Sequence, residues 1–293
     1  MKKSFLIFLV SVLVVVLSAC NSTAEPVSGD NTEKNPTEQP EVSELTLEEV
    51  YEKAIERQNE LTSVSADMKL NQIMTLGSGE ESLEMATKND MVLDMVIEPL
   101  AMYMDGTMLM TNPESGEDVS IDMEMYMNQQ GMFTFDSESK KWLKLPVTDF
   151  EAMMGQTANQ VNAAEQLAGM KSFINEFKFE QTNDAYVLTL NAAGDKFSEY
   201  IVEQMQINQM LGTTEEQKLF DSMKFDKVDY VITINKKTFD ITAMDMVLDF
   251  TIDMEGESMS ISNDTKVTFN NFDGVEAITV PQEVIDQAVE VQY

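Results

Sequence analysis

Apolar and polar residues alternate along much of the chain, which is the pattern of strands that bury one face and expose the other. The clearest runs lie at residues 91–97, 123–127 and 244–254. In the last run every even-numbered residue is apolar, whereas the odd-numbered residues are aspartate, valine or threonine. We therefore expect long antiparallel strands with one dry face and one wet face.

Residues that favour turns separate the predicted strands. The predicted turns are Gly77 to Gly79, Asp105 with Gly106, Asn112 to Gly116, and Gln130 with Gly131. Other strands are predicted at 133–145, 175–181, 185–191, 229–235, 241–255 and 258–269.

A helix is predicted before these strands. Thr46 and Glu49 have the spacing of a capping box, and apolar residues then recur at helical spacing as far as Leu61. Other helices are predicted at 149–154, 158–168, 195–211 and 213–223, and after Pro281. Because a sheet with one apolar face needs a cover, we expect an α+β fold. Its strongly curved antiparallel sheet would form an open half-barrel, with the helices packed on the concave face.

The segments 91–97 and 246–252 have the same residue at five of their seven positions. Each follows a predicted helix within a block of strands, so we predict two duplicated halves in the domain at 45–293. Shared composition of methionine-rich strands is the competing explanation.

The N-terminus has the features of a secretory signal. Lys2 and Lys3 precede an apolar stretch at residues 5–17, which is too short to span a membrane. It ends in the sequence Leu17, Ser18, Ala19, Cys20, which resembles the lipobox of bacterial lipoproteins. The resemblance implies cleavage before Cys20, which then carries a diacylglycerol thioether. We expect a signal peptide at 1–19 and a location on the extracytoplasmic face of the cell membrane, anchored through Cys20.

Residues 20–44 contain three prolines and few apolar side chains. Such a composition cannot offset the entropy of ordering by burial, so we expect a disordered tether.

Composition excludes several classes of function. The 293 residues include 52 acidic and 19 basic residues, one cysteine and no histidine, with a net charge of −33. Histidine-based triads, histidine-ligated metals and internal disulfides are therefore excluded. Nucleic-acid binding is disfavoured because phosphate contacts need lysine and arginine. We expect no cofactor, no metal site and no enzymatic activity, since no catalytic motif is recognisable.

Together with the lipobox, this order of elements resembles the LolA/LppX-like lipoproteins and the related RseB domain. It is most similar to lipoproteins of this type from Gram-positive bacteria that have no assigned activity. The resemblance implies a half-barrel over residues 45–293 whose concave face holds a lipid or lipopeptide. It transfers no binding residue to this chain.

The methionine-rich dry face is the candidate binding surface, since the chain has 24 methionines and flexible thioethers suit varied apolar partners. Packing of an ordinary core explains the same pattern, and binding of Cu(I) by Met123, Met125 and Met127 is a third interpretation. The candidate cavity residues are Met91, Leu93, Met95, Met123, Met125, Met127, Met244, Met246, Leu248 and Phe250.

Two functions remain open. The first is a membrane-anchored lipoprotein that binds a lipid or other amphiphile in an apolar half-barrel, without catalysis. The alternative is a module of the cell envelope, filled by its own side chains, that senses or binds another protein.

Overall fold

The strands of the domain join edge to edge into one sheet. In the computed structural model, the described residues are 25–26, 43–77, 82–112, 116–146, 163–192, 222–254 and 257–291. The strands are β1 (Glu25–Pro26), β2 (Ser63–Leu76), β3 (Leu83–Val96), β4 (Ala101–Thr111), β5 (Asp118–Asn128), β6 (Gly131–Asp136), β7 (Lys141–Lys144), β8 (Lys178–Gln181), β9 (Ala185–Ala192), β10 (Met223–Asn235), β11 (Ile241–Met254), β12 (Glu257–Asn270) and β13 (Val289–Glu290). The helices are α1 (Leu47–Glu60), α2 (Ala163–Met170), a 3-10 helix (Lys171–Glu176) and α3 (Gln282–Gln287).

Two antiparallel meanders make up the sheet. Its order is β1-β8-β9-β10-β11-β12-β2-β3-β4-β5-β6-β7-β13, so the second meander, β8 to β12, joins the first, β2 to β7, through the pairing of β12 with β2. Among the strands that the structure describes, only the two-residue strands β1 and β13 pair in parallel, at the two edges of the sheet. The sheet is therefore open and dominated by antiparallel pairing, as the alternation predicts.

Strand register gives the sheet two chemically different faces. We call the inner face the one that carries Met68, Met91 and Met104, and the outer face the opposite one. The register places Met68 beside Met91 and Leu93 beside Met104, so apolar positions align across neighbouring strands. Because side chains alternate along each strand, the aspartates between them point to the outer face.

Helix α1 begins where the sequence predicts. The side chain of Thr46 accepts a hydrogen bond from the Glu49 N–H, and the Glu49 carboxylate accepts one from the Thr46 N–H. Its apolar stripe buries Val50, Tyr51 and Ala54 completely. This predicted helix and its capping box are confirmed.

Helices α1 and α2 pack on the inner face of strands β8 to β11, where Leu188, Leu190 and Val228 are fully buried. The Tyr51 hydroxyl donates a hydrogen bond to the Leu167 carbonyl and so ties α1 to α2. Helix α3 differs from the predicted arrangement, because its Val284 packs with Phe133 on the outer face of the first meander.

Three local predictions need correction. Asp105 and Gly106 lie inside β4 instead of forming a turn. A Cβ atom on Gly106 would lie 2.4 Å from the Asp90 carbonyl oxygen, so the glycine allows close approach of β3. Helix α2 continues through Gly169, and the 3-10 helix that follows delays β8 until Lys178.

Boundaries also differ near the ends of the predicted elements. Residues 213–221 of the predicted helix at 213–223 lie outside the described residues, and Met223 begins strand β10 instead of ending a helix. Pro281 is the N-cap of α3 instead of its first residue. The predicted helices at 149–154 and 195–211 lie outside the described residues.

The predicted tether is described only at a few positions. Glu25–Pro26 pairs with β8, and the Ser43 N–H donates to the Gln181 side-chain oxygen at 3.0 Å.

The predicted duplication also stays a prediction, because the two similar segments lie in the second strand of one meander and the fourth strand of the other.

An ion-pair clamp closes one end of the sheet over α1. Arg57, the one arginine in the sequence, contacts Asp240 before β11 and Asp273 after β12, each at 2.6 Å. The other oxygen of Asp273 accepts hydrogen bonds from the Thr62 N–H and hydroxyl. We call this group the Arg57 clamp, and the end of the sheet beside it the clamped end.

Removing the central charge of the clamp is expected to destabilise the domain. Arg57→Gln leaves Asp240, whose side chain is 9% exposed, without its partner. We expect a loss of about 2–4 kcal/mol in the free energy of unfolding, measured by urea denaturation. Lys171→Gln, which removes an exposed ion pair with Glu52, is the control and should cost less than about 1 kcal/mol. Equal effects of the two substitutions would contradict a structural role for the clamp.

The clamp also predicts a dependence of stability on pH. Burial raises the pKa of Asp273, but the Thr62 N–H and the Arg57 guanidinium lower it by more, so the net pKa lies below its usual value of 3.8. This contribution is fully present above that value and is lost as the pH falls through the depressed pKa. As the pH falls from 4 into strong acid, the melting temperature of Asp273→Asn should therefore decrease less than that of the unmodified chain. The melting temperatures are measured by circular dichroism. An identical acid response would argue against the clamp.

Candidate functional site

The inner face of the first meander consists of rows of side chains that run across the strands. The row at the clamped end consists of Val64, Met95, Met102, Met127 and Met132. The next consists of Phe269, Ala66, Leu93, Met104, Met125 and Thr134. The third consists of Met244, Val267, Met68, Met91, Gly106 and Met123. Methionine thus forms a large part of a continuous wall.

All ten candidate cavity residues lie on the inner face. Those of β3 and β5 are brought together by β4, since Met104 lies between Leu93 and Met125. Those of β11 are three strands away from β3, a separation of about 14 Å. Met127 and Leu248 are buried, and the other eight are half-buried: Met91, Leu93, Met95, Met123, Met125, Met244, Met246 and Phe250.

The sequence analysis missed a central part of this wall. Strand β2 joins the two meanders and contributes Met68, Leu70 and Met74 to the inner face. The alternation of apolar and polar residues from Val64 to Leu76 is the sequence signal from which strand β2 could have been predicted. Met104 is also missing from the candidate cavity residues, because the sequence predicts a turn directly after it, at Asp105 and Gly106, that the structure does not contain.

Charge is separated completely between the two faces in the central strands. In the described parts of β2 to β5, β9 to β11, and β12 from Met259 onward, the inner face carries no acidic or basic side chain. Its tyrosines are Tyr186 and Tyr230, and burial raises the pKa of Tyr230 to about 12. The outer face of the same strands carries Asp67, Asp90, Asp94, Asp105, Asp122, Glu124, Asp229, Asp245, Asp249, Asp253 and Asp264.

Exposure along the inner face rises from the clamped end towards the opposite end, where the β2–β3 and β4–β5 connections lie. Val64, Ala66 and Met127 are 3–5% exposed, whereas Leu83 and Val119 are more than 40% exposed. We call this second end the open end. An apolar wall that is closed at one end and reaches solvent at the other is suited to an elongated apolar ligand.

Polar but uncharged side chains interrupt the wall in its middle. We call this group the amide patch, and it consists of Gln72, Thr87, Asn89, Asn263 and Thr265. The Gln72 Nε2 donates a hydrogen bond to the Asn263 Oδ1 at 2.9 Å, which links β2 to β12. The Asn89 Oδ1 is buried and has no hydrogen-bond partner among the described residues.

The structure does not describe the predicted lipobox and lipidation residues. Leu17, Ser18, Ala19 and Cys20 lie outside the described residues. Within the described part of the chain, no three histidine, cysteine, aspartate or glutamate side chains converge as metal ligands. The described helices include none that is both long enough and apolar enough to cross a membrane.

Comparison with known families gives one assignment. Residues 46–289 match the model of DUF6612, a family of unknown function. The chain belongs to DUF6612. The match begins at the N-cap of α1 and ends in β13, so it spans the described domain. A search of curated proteins finds no match for this DUF6612 chain.

Several solved structures are similar to this DUF6612 chain at 10% sequence identity. LprF from Mycobacterium bovis matches with a TM-score of 0.36, over 80% of this chain and 96% of LprF. A LolA superfamily protein from Nitrosomonas europaea matches with a TM-score of 0.19, over 82% of this chain and 97% of its own. A DUF1329 protein from Desulfovibrio piger gives a TM-score of 0.20, with 77% and 92% covered. The LolA superfamily, named for one of these structures, is the superfamily that the sequence resembles.

Proposed function

We propose that this DUF6612 protein is an extracytoplasmic lipoprotein that holds an acyl-chain amphiphile on its inner face, without catalysing a reaction. The observation that carries the proposal is the methionine-rich inner wall of β2 to β5 and of β12 from Met259 onward, which carries no charged side chain in the described residues. The wall is mostly half-buried, and it lies in a chain with a net charge of −33. Apolar surface of this extent in an acidic protein supports contact with an apolar ligand.

Burial of hydrocarbon is the driving force that this wall offers. A ligand that buries about 300 Å² of apolar surface gains about 7 kcal/mol before the cost of its lost freedom is subtracted. Methionine adds adaptability, because its thioether side chain is unbranched and polarisable. The wall therefore favours ligands defined by length and apolar character over ligands of one fixed shape.

The N-terminal sequence complements this binding role. Acylation of Cys20 after removal of residues 1–19 would keep the domain at the membrane surface, where acyl lipids are available. Strong negative charge on the outer face would repel anionic lipid head groups and orient the domain away from the bilayer plane. The proposed ligand would then enter at the open end.

A pair of neighbouring substitutions tests the inner face directly. Met91 points to the inner face, while Val92 points to the outer face and is 46% exposed. We expect Met91→Asp to weaken binding of a pyrene-labelled acylglycerol at least tenfold, because a carboxylate in the wall must be desolvated. Val92→Asp should change the dissociation constant less than twofold. Both are measured by fluorescence titration.

The control for folding is Met91→Gln, which keeps the length of the side chain and adds no charge. Circular dichroism must show the same melting transition for the variants that are compared. If Met91→Asp and Val92→Asp bind alike, or if the unmodified chain binds no acylglycerol, the lipid-binding proposal fails. Such a result would favour the module filled by its own side chains.

The anchor is tested separately from ligand binding. Cys20→Ser removes the thiol that acylation requires, so we expect the protein to move from the detergent phase to the aqueous phase in Triton X-114 partitioning. Ser18→Thr, which keeps Cys20, is the control and should stay with the detergent. A Cys20→Ser protein that remained in the detergent phase would contradict anchoring through this residue.

A further inference from the structure

The amide patch gives the inner wall one unpartnered polar atom. The Asn89 Oδ1 is buried, and no described residue donates a hydrogen bond to it. Its cross-strand neighbours on the inner face are Leu70 and Met108, whose side chains carry no hydrogen-bond donor. A buried acceptor that lacks a donor is destabilising and rare in folded proteins, so its presence indicates a donor supplied from elsewhere.

The charge of the wall restricts the group that can supply this donor. No acidic or basic side chain lies on the inner face of β2 to β5 within the described residues. A charged head group would lose its hydration there without gaining an opposite charge. The donor is therefore an uncharged hydroxyl or amide N–H group.

We propose that Asn89 anchors the head group of an acyl lipid that is uncharged and carries a hydroxyl or amide N–H donor. The inference rests on the proposed lipid-binding function and specifies the ligand class. The acyl chain extends from Asn89 towards Met95, and the head group lies at the amide patch. Gln72 and Asn263, already hydrogen-bonded to each other, add further polar atoms beside it.

The length of the wall agrees with this orientation. Met95 lies six positions after Asn89 along β3, which corresponds to about 20 Å of strand. The hydrocarbon core of a bilayer is about 30 Å thick, so the chains of one leaflet extend about 15 Å. One acyl chain therefore fits between the amide patch and the clamped end, over a surface formed by Met68, Met91, Leu93 and Met104.

Two probes with the same acyl chain test the anchor. Monooleoylglycerol carries two hydroxyl donors, whereas methyl oleate has the same chain and an ester but no donor. We expect the unmodified full chain to bind monooleoylglycerol about threefold to tenfold more tightly than methyl oleate, the range expected for one neutral hydrogen bond. The dissociation constants are measured by displacement of a pyrene-labelled acyl chain.

Substitution of Asn89 should remove that preference selectively. Asn89→Leu keeps a side chain of similar size, so affinity for monooleoylglycerol should fall by the same threefold to tenfold factor, while affinity for methyl oleate should change less than twofold. Asn71→Leu is the matched control, because Asn71 is an exposed amide on the outer face of β2 and should leave both affinities unchanged. Asn89→Met repeats the test if the leucine variant unfolds.

The outcomes distinguish failure of the Asn89 anchor from failure of the proposed lipid-binding function. If Asn89→Leu weakens both probes equally, or neither, the anchor is wrong while lipid binding stands. If the unmodified chain binds neither probe, the proposed function itself fails. Monooleoyl phosphatidylglycerol adds an anionic phosphate to the same chain and should bind more weakly than monooleoylglycerol. Tighter binding of the phosphate-bearing lipid would overturn the uncharged head group.

Discussion

Confinement of charge to one face of the sheet is the constraint on which the rest of this structure depends. With 52 acidic and 19 basic residues, the chain can form long paired strands only if the acids on them face water. Strict alternation achieves this, because a shift of register by one residue would turn every aspartate inward. The same alternation leaves the inner face apolar, so the charged surface and the candidate binding wall arise from one pattern.

The inner face consists of two regions that differ in burial. Over β8 to β11 it is covered by α1 and α2, and the fully buried Leu188 and Val228 form an ordinary core there. Over β12 and the first meander it is half-buried and rich in methionine. The Arg57 clamp connects the two regions, because it ties α1 to the segments beside β11 and β12. A stable core on one half thus holds the curved wall of the other half in place.

Local patterns predicted the parts of this fold that depend on local physics. The capping box at Thr46 and the alternation along β11 both predicted elements that the structure contains. The pairing of β12 with β2 joins residues about 190 apart in sequence, and periodicity carries no information on such partners. The sequence predicts a turn at Gly106, because a glycine that allows two strands to approach closely cannot be distinguished in sequence from a turn glycine. The unpartnered oxygen of Asn89 depends on its neighbours and could only be found in the structure.

Methyl NMR of the methionines would test the central claim most directly, since 24 methionines report on the chain and many line the inner wall. The spectrum of the chain with 13C-labelled methionine methyls would be recorded while monooleoylglycerol is added. We expect saturable shifts at Met68, Met91, Met104 and Met123, with no shift at Met170, which is buried in α2 on the covered half. Bound lipid without shifts at the inner-wall methionines would contradict the claim that this wall is the binding site.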